Sequence, residues 1–242
     1  MTSNTADNTI DGGAGIDTIS YVASSSAVII DLSAGTATGD GNDILLNIEK
    51  MTGSNYDDIL ISSSVNNTIN GGIGIDTVSY ASAIAAVTVS LTANTATGGG
   101  GSDTLSNIEN IIGSSYNDTL TGNTANNTID GGAGNDTLIG ATGNDLYLFK
   151  NIFGNDIIRD TSGTDSIDLS DFILASVIFT RQEGNTTTGD DLFIDLGANG
   201  NILIENYFTE DSGSVAGTGC IENISFQDDS SVDLAQIASM GL

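Results

Sequence analysis

Aspartate and asparagine residues recur along the first two thirds of the chain with a spacing that suits metal binding. They end short glycine-rich turns, and many of the steps between them are nine residues long. The positions that follow this pattern are Asn8, Asp17, Asp43, Asp58, Asn67, Asp76, Asp103, Asp118, Asn127, Asp136, Asp145, Asp156 and Asp165. Carboxylate and amide oxygens are hard ligands, which Ca²⁺ prefers. The spacing therefore indicates a row of calcium sites that draw oxygens from more than one turn.

The composition argues against several other kinds of site. The 242-residue chain has 32 acidic and 4 basic residues, no histidine and a single cysteine, Cys220, and its formal net charge is −28. Zinc and copper sites usually need histidine or several cysteines, and an internal disulfide needs two cysteines. The basic residues Lys50, Lys150, Arg159 and Arg181 are too few for a phosphate-binding stripe. We therefore expect no nucleic-acid partner and no binding to anionic membranes.

The sequence shows no segment that would enter a membrane. No stretch approaches the roughly 20 consecutive apolar residues of a transmembrane helix. The first residues have neither a basic start nor an apolar run, so we expect no cleavable signal peptide.

Each nine-residue unit combines a turn with a short strand. Near-copies of the unit begin at Asn8, Asn67 and Asn127, each with Gly-Gly-x-Gly-x-Asp followed by x-aliphatic-x. The glycine-rich half turns tightly and aims backbone carbonyls inward, whereas the second half is a strand with one apolar side chain facing a thin core. This pattern predicts an all-β fold, namely a right-handed parallel β-roll or β-helix solenoid that ends in a C-terminal β-rich cap.

Two nine-residue units complete one coil, so turns about eighteen residues apart should stack on one edge of the roll. The pairs with this spacing are Asp58 with Asp76, Asp118 with Asp136, and Asn127 with Asp145; Asp136 with Asp156 and Asp145 with Asp165 are twenty apart. We expect the strongest site at Asp118 and Asp136, helped by Gly131, Gly132 and Gly134. The predicted ligands are Asp17, Asp43, Asp58, Asp76, Asp103, Asp118, Asn127, Gly131, Gly132, Gly134, Asp136, Asp145, Asp156 and Asp165, and several ions are expected.

A longer period of about 60 residues overlies the nonapeptides, since the segment 43–50 matches the segment 103–110. Between nonapeptides, the insertions 19–41 and 78–101 lack aspartate at their turn ends. We expect them to continue the solenoid without binding metal. Their Thr-Ala-Thr triplets, 36–38 and 95–97, are one long repeat apart and would form a threonine array if they shared a face.

The nonapeptides in residues 1–165 resemble the RTX, or haemolysin-type, calcium-binding repeats of secreted bacterial proteins. The aromatic strand near Leu146–Phe149 is similar to the segment that closes such repeats, and the segments 191–196, 201–208 and 221–228 resemble the C-terminal domain that follows them. The resemblance implies a secreted or cell-surface protein, exported by a type I system through an uncleaved C-terminal signal. It also implies folding when the chain meets calcium outside the cell.

The composition changes near residue 166, where glycine turns become rare and the strands lengthen. We expect a calcium-binding roll in residues 1–165 and a capping, secretion-associated domain in residues 166–242. The segments 192–196 and 202–205 should form a hairpin. Bulky side chains should fill the core of the cap, namely Phe172, Phe179, Phe193, Tyr207, Phe208 and Phe226.

The leading interpretation is a calcium-binding structural and secretion module without catalytic activity. Hydrolytic triads need a base, usually histidine, and none is present. A glycosidase would need acids outside the turns, and the glutamates Glu49, Glu109, Glu183, Glu205, Glu210 and Glu222 show no common spacing. Two alternatives stay open: an adhesive module that binds carbohydrate or a cell surface, and the non-catalytic tail of a secreted hydrolase.

Overall fold

The computed structural model describes residues 5–183, 190–208, 221–240 and 242. The chain divides into two compact units, residues 1–115 and residues 116–242, which are described in turn. Cys220 and Glu210 lie outside the described residues.

Unit 1 consists of short strands that lie in two sheets. The strands are β1 (Thr9–Asp11), β2 (Thr18–Ser20), β3 (Ile29–Asp31), β4 (Thr36–Thr38), β5 (Asn42–Leu46), β6 (Lys50–Thr52), β7 (Ile59–Ile61), β8 (Thr68–Asn70), β9 (Thr77–Ser79), β10 (Val87–Ser90), β11 (Thr95–Gly98), β12 (Gly101–Ser106) and β13 (Asn110–Ile112). Sheet A has the order β2-β6-β8-β12-β11-β10, and sheet B has the order β1-β5-β4-β3-β7-β9-β13. The glycine-rich turns carry the chain from one sheet to the other.

The middle residue of each strand triplet faces the core between the sheets. Ile19, Met51 and Ile69 are buried, and they align in register on the parallel strands β2, β6 and β8. Their neighbours within each triplet are more exposed. One inward apolar side chain for each strand is the pattern that the x-aliphatic-x motif predicts, and the parallel solenoid fold is thereby confirmed.

The insertions in the 60-residue repeats are not coils of the solenoid, contrary to our expectation. Strand β4 runs antiparallel to both β3 and β5, and β11 runs antiparallel to both β10 and β12. The connection 32–35 between β3 and β4 is short, and a short connection joins neighbouring strands only when they are antiparallel. Each insertion therefore widens one sheet by two strands.

Successive 60-residue repeats place equivalent strands in opposite sheets. The repeat holds seven strands, an odd number, so β1 lies in sheet B whereas its counterpart β8 lies in sheet A. For the same reason β4 belongs to sheet B and β11 to sheet A. Their Thr-Ala-Thr triplets do not share a face, so the threonine array considered from the sequence does not form.

Unit 2 continues the alternation of short strands and ends in longer, antiparallel ones. Its elements are β14 (Thr119–Thr121), β15 (Thr128–Asp130), β16 (Thr137–Ile139), β17 (Leu146–Leu148), β18 (Gly154–Arg159), β19 (Asp165–Leu169), β20 (Ile178–Gln182), β21 (Asp190–Asp195), β22 (Gly200–Phe208), β23 (Ile221–Phe226), β24 (Ser231–Asp233) and the helix α1 (Leu234–Ser239). One sheet has the order β14-β16-β18-β22-β21-β20 and the other β15-β17-β19-β23-β24. The predicted hairpin is confirmed as β21 and β22, which pair antiparallel.

Aromatic side chains fill much of the core of unit 2. Phe153 makes edge contacts with Phe149 and Phe172, with ring centroids 4.9 and 5.8 Å apart. Of the aromatics predicted for the C-terminal core, the buried ones are Phe172, Tyr207, Phe208 and Phe226. Phe179 and Phe193 are only half-buried.

Candidate metal centre

Carboxylates at the turn ends connect successive coils through backbone hydrogen bonds. In each bond, the Oδ1 atom of one turn-end residue accepts the backbone N–H of the turn-end residue on the preceding coil. Asp118 N lies 2.7 Å from Asp136 Oδ1, and Asp136 N lies 2.7 Å from Asp156 Oδ1. The same bond joins Asp58 to Asp76, Asn127 to Asp145, and Asp145 to Asp165. The structure thus brings together all the pairs expected from the spacing.

The second carboxylate oxygen of several turn-end aspartates is buried without a hydrogen-bond partner. Among the described residues, this holds for Oδ2 of Asp17, Asp76, Asp136, Asp145, Asp156 and Asp165. Burying a charged oxygen without compensation is unfavourable, and such groups are normally paired or bind a metal. We call these six residues the open aspartates. Their stacked, inward-facing oxygens fit a hard cation such as Ca²⁺.

Burial raises the pKa values of Asp76, Asp136, Asp145, Asp156 and Asp165. Burial raises the pKa of Asp156 to about 8 and the pKa values of Asp136 and Asp165 to about 7. Burial likewise raises the pKa values of Asp76 and Asp145 to about 6. Nearby carboxylates raise all five further, whereas the backbone hydrogen bond to Oδ1 lowers each. Near neutral pH a proton or a cation would each relieve this repulsion.

A three-carboxylate cluster in unit 2 contains a residue that the sequence analysis did not select. One carboxylate oxygen from each of Asp145, Asp160 and Asp165 lies within 4.8 Å of the others. A Cβ atom at Gly140 would overlap Oδ2 of Asp145 and of Asp160, so only glycine leaves room there. In the six-residue turns that start at Gly140 and Asp160, Asp160 stands where Gly140 does. The aspartate at this glycine position is the sequence feature that could have identified Asp160 as a candidate ligand.

Three glutamates take part in the same hydrogen-bonding pattern, although their spacing did not reveal it. Oε2 of Glu49 accepts the N–H of Asp17, and Oε2 of Glu109 accepts the N–H of Asp76, each at 2.9 Å. Glu222 Oε2 accepts the N–H of Asp165 at 2.5 Å. An Ile-Glu pair is the sequence signal common to all three; it directly precedes β6 and β13 and forms the first two residues of β23. The glutamate side chain, one methylene longer, spans a coil in which the nine-residue count is broken.

In unit 1, other predicted ligands have both carboxylate oxygens hydrogen-bonded within the protein. Tyr21 donates its hydroxyl to Asp43 Oδ2 at 2.7 Å, and Tyr80 donates to Asp103 Oδ2 at 2.9 Å. Burial raises the pKa values of both tyrosines, which keeps their hydroxyls protonated donors. Oδ1 of Asp43 and Oδ1 of Asp103 accept backbone N–H groups.

Asp58 is satisfied by a neighbouring serine instead of a tyrosine. Ser54 donates its N–H to Asp58 Oδ2 and its hydroxyl to Asp58 Oδ1, and Val28 N also donates to Oδ1. We call Asp43, Asp58 and Asp103 the sealed aspartates. Their buried carboxylates are compensated by hydrogen bonds from the protein itself.

The side-chain oxygens of the turn-end asparagines Asn67 and Asn127 accept hydrogen bonds within their own turns. Asn67 Oδ1 accepts bonds from Ser62 and from Ser63, and Asn127 Oδ1 accepts the N–H of Asn123 at 2.8 Å. They contribute no negative charge to the turn.

The predicted glycine ligands shape the turn before Asp136. Gly132 and Gly134 have φ angles of 86° and 138°, which disfavour any side chain. A Cβ atom at Gly131 would overlap Asp136 Oδ2. The structure therefore gives all three glycines a conformational or steric role beside the open oxygen of Asp136.

Comparison with known proteins adds an independent finding. The model of the RTX calcium-binding nonapeptide repeat matches the chain in four copies, at residues 2–20, 49–81, 91–106 and 112–147. The copies cover all the predicted turns up to Asp145 except Asp43. No curated protein matches the chain significantly. In the part of the chain that the structure describes, no helix has the length and apolarity needed to cross a membrane. These four copies identify the chain as one that carries RTX calcium-binding nonapeptide repeats.

Proposed function

We propose that this chain is a calcium-dependent structural module of a secreted protein, which crosses the cell envelope unfolded and folds when it meets calcium outside. The repeats make it a calcium-binding structural module. The observation that carries the coupling to folding is the set of six buried Oδ2 atoms without a partner. In the metal-free chain these carboxylates oppose the compact state, and a cation bound only by the folded state adds its binding free energy to stability.

The open aspartates are the residues that we propose as calcium ligands. The stacked pairs place Asp76, Asp136 and Asp156 beside a second acid on an adjacent coil. The cluster of Asp145, Asp160 and Asp165 brings two open aspartates next to Asp160, whose Oδ2 also accepts the hydroxyl of Tyr147. Asp118 and Asn127 complete their pairs from the preceding coil. The bound cation would supply the positive charge that these turns lack.

For the sealed aspartates we propose a hydrogen-bonding role in place of metal binding. Both oxygens of Asp43 and of Asp103 are already engaged by donors that a cation would have to displace. This assignment lowers the number of ions expected from the sequence spacing alone.

Residues 166–242 are proposed to cap the roll and to carry the type I export signal. Strands β22 and β23 add to the parallel strands β18 and β19, and the antiparallel strands β20, β21 and β24 follow at the sheet ends. We expect a cell with a type I exporter to release the full chain and to retain a chain without residues 166–242. Release of both would refute the signal.

Far-UV circular dichroism of the EDTA-treated full chain during a calcium titration tests the proposed function. We expect a cooperative gain of β structure with calcium and none with equimolar magnesium, which keeps its waters and demands near-octahedral geometry. The variant Asp136→Asn should shift the midpoint to higher calcium, whereas the matched variant Asp43→Asn should not. A metal-free chain that is already fully β and insensitive to calcium would refute the coupling.

A further inference from the structure

The outer face of sheet A carries hydroxyl groups and no acid, in a chain with 32 acidic residues. The outward side chains of its strands are Thr18, Ser20, Lys50, Thr52, Thr68, Asn70, Thr88, Ser90, Thr95, Thr97, Ser102, Thr104 and Ser106. Asp103, the acid on strand β12, faces the core and is 4% exposed. We call this surface the hydroxyl face. Sheet B differs, since its strands place Ile29, Ile44 and Leu46 outward.

Lys50 lies within the hydroxyl face, between two threonine-bearing strands. It aligns with Thr18 on strand β2 and with Thr68 on strand β8, and Thr68 aligns with Thr104 on strand β12. Neighbouring strands are about 4.8 Å apart, so these four side chains form one continuous row across the sheet. Lys50 is the only basic residue of unit 1.

Within the described residues, Lys50 makes no ion pair, although acids outnumber bases eightfold. The other three basic residues each pair with an acid: Lys150 with Asp130, Arg159 with Glu205, and Arg181 with Asp190. The adjacent Glu49 turns its carboxylate toward the backbone N–H of Asp17. The charge of Lys50 is therefore left for a partner from outside.

A depression of about 200 Å³ opens beside Lys50 on this face. Its lining combines one cation, one acid, hydroxyls, amides and one apolar side chain: Ile16, Glu49, Lys50, Asn66, Asn67, Thr68, Ser102 and Thr104. The acid is Glu49, whose Oε2 accepts the N–H of Asp17. The side chain of Ile16 is 71% exposed and forms an apolar rim. The volume is smaller than that of pockets for drug-sized ligands, about 300 Å³ or more, and suits a single ring.

We propose that this depression binds one sugar unit that carries a single carboxylate, such as a uronic acid at the end of a glycan. One unpaired ammonium matches one carboxylate, in a charge-assisted hydrogen bond. The hydroxyls of Thr68, Ser102 and Thr104 both donate and accept, as the hydroxyls of a sugar require. Ile16 packs against the C–H groups of the ring. This binding role lies beyond the structural module proposed above.

The same features exclude a polyanion and give a neutral sugar no advantage. With one lysine on the face and a net charge of −28, a nucleic acid or a polysulfate would meet repulsion that one ion pair does not offset. A neutral sugar would leave the ammonium of Lys50 without a carboxylate. A monoanionic sugar is the partner whose charge the face complements.

Isothermal titration calorimetry of the calcium-saturated full chain with galacturonate and with galactose tests this proposal. The two sugars differ in having a carboxylate or a hydroxymethyl group at one carbon. We expect galacturonate to bind at one site and about tenfold more tightly than galactose, the effect of one charge-assisted hydrogen bond. Titration of galacturonate into calcium buffer alone corrects for the sugar's own calcium binding.

Two lysine variants make the result specific. Lys50→Gln should abolish the preference for galacturonate, whereas Lys150→Gln, which loses a lysine paired with Asp130 in unit 2, should keep it. Circular dichroism of both variants with calcium confirms that they are folded, which separates loss of this site from failure of calcium-coupled folding. Equal binding of the two sugars, absence of binding, or an unchanged preference in Lys50→Gln would each overturn the proposal.

Discussion

The two units compensate for their buried aspartates in different ways. In unit 1, Asp43, Asp58 and Asp103 are sealed by tyrosine and serine donors, and the open residues are Asp17 and Asp76. In unit 2, Asp136, Asp145, Asp156 and Asp165 are open, and the engaged acid among them is Asp160, whose Oδ2 accepts the hydroxyl of Tyr147. Unit 1 also has the antiparallel insertions, which add strand pairing to its sheets.

This difference indicates how strongly each unit depends on metal. Hydroxyl donors compensate a buried carboxylate at any calcium concentration, whereas an open oxygen needs a cation or a proton. We therefore expect unit 2 to lose its structure at a higher calcium concentration than unit 1 when calcium is withdrawn.

Substitution of the open aspartates should have the largest effect on the number of bound calcium ions. The triple variant Asp136→Asn, Asp145→Asn and Asp156→Asn removes three charged ligands and should lower the number of bound calcium ions, measured by equilibrium dialysis and atomic emission. The matched double variant Asp43→Asn and Asp103→Asn should bind as many ions as the unaltered chain. Equal losses in the two variants would show that sealed and open aspartates do not differ.

Acidification should stabilise the metal-free chain and so partly substitute for calcium. Because burial raises the folded-state pKa values of Asp136, Asp156 and Asp165 to about 7 to 8, the folded state binds more protons than the unfolded state between about pH 4 and pH 8. The metal-free chain should therefore be more stable at pH 5 than at pH 8, as measured by its urea midpoint. With saturating calcium this gain should vanish or reverse, because protons compete for the same oxygens. A metal-free chain that is less stable at pH 5 would contradict the assignment.

A methyl group at Gly140 should damage one site selectively. Gly140→Ala places a Cβ atom against Oδ2 of Asp145 and of Asp160, so we expect loss of one calcium ion with the other sites retained. Calcium stoichiometry by isothermal titration calorimetry measures this. Gly197→Ala is the control, since its Cβ would meet no atom within 4 Å, although its φ of 66° adds some backbone strain. Full stoichiometry in Gly140→Ala would remove the cluster from the candidate sites.

Loss of a sealing hydroxyl should have the smallest effect and should not depend on calcium. Tyr80→Phe removes the donor to Asp103 Oδ2 and should lower the free energy of unfolding by about 1–3 kcal/mol. Urea unfolding with and without calcium measures the change, which should be similar in both conditions. A calcium-dependent change would place a cation at Asp103 instead.

The stacked pairs were predictable because a strict count of nine residues converts directly into coils of eighteen. Asp118 and Asp136 needed no knowledge of tertiary structure beyond that count. The antiparallel course of β4 and β11 was not predictable in the same way, since alternation such as Val87-Thr-Val-Ser90 suits parallel and antiparallel strands equally.

The difference between open and sealed aspartates could not be read from spacing. Asp43 and Asp136 both end glycine-containing turns, but only Asp43 accepts a hydrogen bond from a tyrosine, which is 22 residues away in the chain. Glu49 and Asp160 were missed because each departs from the turn-end pattern: Glu49 is a longer acid, and Asp160 stands at a glycine position. Such contacts depend on which side chains the stacked coils bring together.

Hydrogen exchange of the full chain, followed by mass spectrometry as calcium is withdrawn, tests the central claim most directly. We predict that the amides of β14 to β19 in unit 2 lose protection at a higher free calcium concentration than those of β3 to β5 in unit 1. Loss of protection in both units at the same calcium concentration, or first in β3 to β5, would contradict the division into open and sealed aspartates.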